Sequence, residues 1–158
     1  MKIGMVGLIL FSCSGDNPAT EESKENPLEE PLVLSKEPDQ TGEQLYQQYC
    51  SSCHMVNGAG MIGRAPPLAG SEWVEMDASV SIRIVLYGLQ GEIEVKGQKF
   101  MGIMASWGAI LSDEKVSSIL TYTRSNWGND APPVSPADVA KIREEFKGHG
   151  AWKASELK

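Results

Sequence analysis

The run Cys50-Ser51-Ser52-Cys53-His54 constrains this chain more than any other feature. On a helix of ~3.6 residues per turn, its two thiols lie about one turn apart, with an imidazole on the next residue. C-x-x-C-H is the spacing of a c-type haem attachment site. Each thiol can add to a vinyl group of the ring, and the histidine can then reach the iron from one face. Competing chemistries fit less well. A zinc site needs about four ligands, and outside the run only Cys13 and His149 remain among the cysteines and histidines. A thioredoxin-like redox pair should follow a strand in a βαβ pattern, whereas Leu45, Tyr46 and Tyr49 precede Cys50 at helical spacing. The 158 residues suit one core.

The N-terminus differs sharply from the rest. Lys2 opens a short apolar run over residues 3–11, closed by Ser12 and Cys13, the form of a secretion signal. Leu10-Phe11-Ser12-Cys13 resembles the lipobox of bacterial lipoproteins. The resemblance implies that residues 1–12 are cleaved off and that the Cys13 thiol takes a diacylglycerol. The product is then held by lipid at a membrane on the periplasmic side of the bacterial cell envelope. Two or more acyl chains give stable anchoring. The alternative is an ordinary secretion signal, or an uncleaved anchor, in which Cys13 is incidental. No stretch reaches the ~20 apolar residues that a spanning helix needs.

Residues 13–40 read as an acidic, proline-rich, disordered tether. Asp16, Glu21, Glu22, Glu25, Glu29, Glu30, Glu37 and Asp39 stand against Lys24 and Lys36, and Pro18, Pro27, Pro31 and Pro38 interrupt any helix. As a coil this segment spans roughly 30 Å. It holds most of the net charge of −7, and the remainder of the chain is nearly balanced. The net acidity of the chain argues against a nucleic-acid binder, which needs clustered Lys and Arg.

Beyond the attachment run, Gly58, Gly60, Gly63, Pro66 and Pro67 mark a loop. Residues 78–89 read as an amphipathic helix with Val80, Ile84 and Tyr87 on one stripe, widened by Ile82, Val85, Leu86 and Leu89. Residues 92–100 alternate apolar and polar around Lys96-Gly97, a short hairpin. Ser112 caps a further helix, with Val116, Ile119, Leu120, Thr123 and Trp127 as its inner stripe and Gly128-Asn129 as its end. Ser135-Pro136 starts a last helix bearing Val139, Ile142 and Phe146. His149 reads as a solvated tail residue. For a second iron ligand on the far face, Met101 and Met104 remain, and core filling is the alternative role for both.

Gly42, Tyr46, Cys50, Cys53 and His54 together resemble the first helix of class I monohaem bacterial cytochromes c, and ILTYTRSNWGN over 119–129 is similar to a subgroup of them. The resemblance covers about residues 41–130, leaving 131–158 as a C-terminal extension with one helix. It implies an all-α fold, a small helical domain around one covalent haem c, with the hairpin as an insertion. By this resemblance the Pro66 carbonyl accepts a hydrogen bond from His54, which fixes the imidazole tautomer, and Leu68 packs on the ring. Its register makes Met104 the sixth ligand and places Met101 near the ring edge, although Ala105 stands where the family has proline. Tyr122 matches the aromatic that meets Gly42 and Tyr46.

The function implied is one-electron transfer without substrate chemistry, in a periplasmic or membrane-associated redox chain. Donor and acceptor redox proteins would dock transiently at the haem edge. One rival is a haem-based gas sensor or haem enzyme with a displaceable sixth ligand. The other is a fixed electron-entry subunit of a larger oxidoreductase.

Overall fold

A computed structural model of the chain describes residues 40–158. The signal of residues 1–12, Cys13 and the acidic segment up to residue 39 lie outside the described residues. Helix α1 (Gly42–Tyr49) begins at a capping box in which the Thr41 hydroxyl accepts from the Gln44 N–H and the Gln44 side chain accepts from the Thr41 N–H. Helix α2 (Ser51–His54) carries most of the C-x-x-C-H run, and α3 (Glu72–Glu75) and α4 (Ala78–Tyr87) follow. Strands β1 (Leu89–Val95) and β2 (Gln98–Met104) form one antiparallel hairpin. Helices α5 (Asp113–Arg124) and α6 (Pro136–Glu145) and a 3₁₀ turn at Ala154–Glu156 complete the chain.

Helices α1 and α5 cross in close contact because Gly42 has no side chain. A Cβ there would lie 2.3 Å from the Ser118 carbonyl oxygen. Beside the crossing, Tyr46, Tyr122 and Trp127 form an aromatic triad with ring centroids 4.9–5.6 Å apart, within the range of favourable tilted pairs. Helix α4 separates two apolar clusters. Ile82 and Leu86 face Leu45, Val116, Ile119, Leu120 and Val139. Val80 faces Trp73, Ile93, Val95, Phe100, Trp152 and Leu157. Arg124 is buried, yet all its hydrogen bonds go to carbonyls: Val74, Met76 and Pro132. It thereby ties α5 to the end of α3.

Three expectations need correction. The fold is mostly helical but carries a seven-residue strand pair, longer than the hairpin expected at 92–100. Helix α4 stops at Tyr87, and Leu89 belongs to β1, because the Trp152 backbone donates to Gly88 O and accepts from the Gln90 N–H. That partner lies over sixty residues away, so local periodicity could not reveal it. Helix α5 ends at Arg124, not at Gly128-Asn129. The Ser125 hydroxyl and the Asn126 amide capture the Thr121 and Tyr122 carbonyls, a local competition that terminates helices. Trp127 therefore lies beyond the helix, at φ +55°.

The chain after residue 130 is part of the core. Val139, Ile142, Trp152 and Leu157 are all buried. His149 is exposed, with its ring stacked on Trp152 at 3.7 Å. No helix among the described residues is long and apolar enough to cross a membrane.

Candidate functional site

Helix α1 runs into α2, so Cys50 and Cys53 lie about one turn apart, neither in a disulfide. Burial, reinforced by the neighbouring Cys53, pushes the Cys50 thiol up to about 12, so it stays neutral at ordinary pH. His54 is buried at the end of α2. Its Nδ1 lies 3.0 Å from the Pro66 carbonyl oxygen. A carbonyl can only accept, so Nδ1 bears the proton and Nε2 keeps its lone pair. Burial lowers the imidazole pKa, and the Pro66 bond opposes that shift. The ring is held in the neutral form that ligates a metal.

The loop that brings Pro66 back to His54 depends on Gly60. At φ +71°, a Cβ there would sit 2.6–2.7 Å from the carbonyl carbon and oxygen of Pro66. Leu68 is fixed next to it: its N–H donates to Gly58 O, and its carbonyl accepts from the Asn129 amide at 3.0 Å. Asn129 also donates to Thr123 O at 2.7 Å, tying the loop to α5. On the other side of α2, the Tyr46 hydroxyl donates to Met55 O at 2.7 Å.

Two cavities of about 360 and 100 Å³ share Cys50, His54, Pro66, Leu89, Ile93 and Met104 as walls. The larger lies within the ~300–1,000 Å³ usual for ligand sites. Strand alternation sorts the two methionines. The register pairs Met104 with Leu89 and Phe100 with Ile93, on the inward face, whereas Met101 pairs with Glu92 on the outward one. Met104 accordingly lines both cavities, and Met101 is 66% exposed and lines neither. His149 lines neither cavity either.

Sequence reasoning missed the hairpin's inner face. Leu89, Ile93 and Phe100 wall the larger cavity, and Gly91 and Gly102, paired across the strands, also line it without a side chain. Extending the alternation outward from Lys96-Gly97 would have found them. Trp107, edge-on to Tyr49 at 5.5 Å, was likewise unassigned. The donor set fits a covalently attached haem: two unpaired thiols, a neutral imidazole with a free Nε2 and a thioether converge on one apolar cavity.

Fold and donor set together define a cytochrome c domain, and the chain belongs to that family: residues 37–122 match the family described as "Cytochrome C oxidase, cbb3-type, subunit III". Membership implies a covalently bound haem c. Among individual proteins, the chain is similar to cytochrome c-552 of Thermus thermophilus, 39% identical over 111 residues that cover 65% of this chain and 83% of that protein. It is also 32% identical, over 65% of its length, to the cytochrome c subunit of a quinone alcohol dehydrogenase from Gluconobacter oxydans, but spans only 22% of that subunit. The cytochrome c subunit of gluconate 2-dehydrogenase from Pantoea cypripedii is likewise 32% identical, with 67% of this chain and 24% of that subunit covered.

Proposed function

We propose that this chain is a one-electron carrier in which Cys50 and Cys53 hold one haem c, and His54 and Met104 are its axial ligands. The supporting observation is that His54 and Met104 line the same apolar cavity, while Met101 and His149 lie outside it. A bound haem supplies an iron that takes up and gives back one electron. Pro66 holds the His54 ring in the tautomer that presents Nε2. Met104 closes the far side with a soft thioether, which favours the reduced metal and raises the potential. Leu68, Ile93 and Phe100 keep water from the cavity, and a low-dielectric surround raises the potential further.

Electron exchange takes place at the mouth of the larger cavity, which Ser52, Cys53 and the 84% exposed Ile103 all line. Donor and acceptor proteins dock there briefly, through small contacts suited to fast turnover. The chain is exported, its signal is cleaved before Cys13, and lipid on Cys13 holds it to a membrane at the periplasmic side, with residues 13–40 as the tether. The dehydrogenase subunits among the relatives favour a second reading, a fixed electron-entry subunit. Isolation of the native protein as a lone monohaem chain supports the carrier, and stoichiometric co-isolation with a dehydrogenase supports the subunit.

With both axial positions filled, the reduced holoprotein should bind carbon monoxide only slowly at neutral pH. Rapid, tight binding would instead indicate a sensor or enzyme with an open iron.

A further inference from the structure

Outside the cavity walls, one side chain makes an unusual set of contacts to the chain that follows Met104. Arg143, on α6, donates from Nη1 to Gly108 O, from Nη2 to Leu111 O at 2.9 Å, and from Nε to Asp113 Oδ1 at 2.8 Å. Its guanidinium therefore spans the connection from the end of β2 to the first residue of α5. The arginine is itself anchored: the Tyr87 hydroxyl on α4 donates to the Arg143 carbonyl at 2.8 Å, and the adjacent Ile142 is buried. The same connection is strapped to α4 by Trp107 N–H to Val85 O and Gly108 N–H to Leu86 O. At this same end of the hairpin, β1 is held by the Trp152 backbone next to Leu89, the strand partner of Met104.

Ala105 follows Met104 directly, so no ring stiffens the backbone there. A connection without that stiffening would leave the thioether free to swing away, at a cost in bound population. We propose that Arg143 is the positioning residue of the methionine side: its fork fixes the 105–112 connection and so keeps the Met104 sulfur on the iron. The proposal rests on Met104 being the sixth ligand. It gives residues 131–158 a function, since α6 carries the clamp and the tail holds the strand.

The test uses the full-length holoprotein and the near-infrared sulfur-to-iron band of its oxidised form, followed as pH is raised. A merely structural arginine would alter overall melting but not the band ahead of it, and removing a cation shifts the potential whatever its role. In Arg143→Met the midpoint for loss of the band should fall by about one pH unit, with carbon monoxide binding about tenfold faster in the reduced form. That is the scale of losing a charged hydrogen bond. Far-ultraviolet circular dichroism should stay unchanged at that midpoint. Asp113→Asn, which keeps both carbonyl contacts, should shift it less.

A wild-type midpoint in Arg143→Met, or band loss only together with unfolding, would overturn the proposal. Should that variant fail to accumulate, Arg143→Lys decides, because a single ammonium cannot span both carbonyls and Asp113. An intermediate midpoint supports the clamp, and the wild-type value overturns it. Absence of the band in the wild-type protein would instead refute methionine ligation itself.

Discussion

The histidine side of the cavity is assembled mainly from one stretch of chain, residues 50–68, which Asn129 ties to α5 at Leu68, whereas the methionine side draws on the hairpin, the 105–112 connection, α6 and the C-terminal tail. On the first side the thiols, the imidazole and the Pro66 carbonyl are at most sixteen residues apart in sequence, and one loop returns on itself through Gly60. On the second, Met104 is set by strand register to Leu89, by Arg143 almost forty residues later, and by Trp152 beyond that. The histidine side is locally encoded and should be hard to loosen without losing it altogether. The methionine side is encoded by tertiary contacts and should loosen in steps, while the haem stays attached.

Substitutions at the proposed attachment and ligand residues provide the widest contrast. Cys50→Ala combined with Cys53→Ala should abolish covalent haem, measured as complete extraction of the pigment into acidified acetone. Met104→Ala should leave the haem fully attached. If the pigment of the double variant resisted extraction, the assignment of the thiols would fail.

Trp152→Ala is the next largest. It removes a large buried side chain and should cost about 3–5 kcal/mol in denaturant unfolding. Trp152→Phe should stay within about 1 kcal/mol, because the buried indole N–H has no acceptor among the described residues and its removal offsets the lost area. A severe loss in the phenylalanine variant would mean that the N–H has a partner.

A smaller effect separates two glycines of similar φ on the histidine side. Gly60→Ala should cost roughly 2–3 kcal/mol, since both backbone strain and collision with the Pro66 carbonyl oppose it. Gly63→Ala, with nothing within 4 Å of the new Cβ, should cost only about 1 kcal/mol. Equal losses would show that the Gly60–Pro66 approach contributes nothing.

The same comparison explains what could be read from the sequence. The Ser112 cap and the helix start at Ser135-Pro136 depend on near neighbours and were legible, and the Pro66 contact to His54, only twelve residues away, followed from the family resemblance. The strand limits were not, because Leu89 is drawn from the helix pattern by pairing with Met104 and Trp152. Nor was the role of the tail, since Trp152 and Leu157 show their purpose only once the hairpin presents Ile93 and Phe100 to them. Nothing in the sequence around Arg143 points to Gly108, Leu111 and Asp113, which only the fold brings within its reach.

The pH dependence gives the mildest contrast. In the chain without haem, burial depresses the pKa of His54, so the unfolded chain binds the proton more readily. Folding stability should therefore hold above the ordinary histidine value of about 6.5 and decline as pH falls below it. This acid loss belongs to the histidine side and should be unaffected by Arg143→Met. A stability profile flat through that range would show that His54 is as easily protonated folded as unfolded.

The most direct test of the account is the near-infrared sulfur-to-iron band of the oxidised holoprotein, compared among wild type, Met104→Ala and Met101→Ala. With Met104 as the ligand, the wild type shows a band that Met101→Ala retains and Met104→Ala removes. A band that survives Met104→Ala and disappears in Met101→Ala would contradict it, and with it the hairpin register on which the methionine side depends.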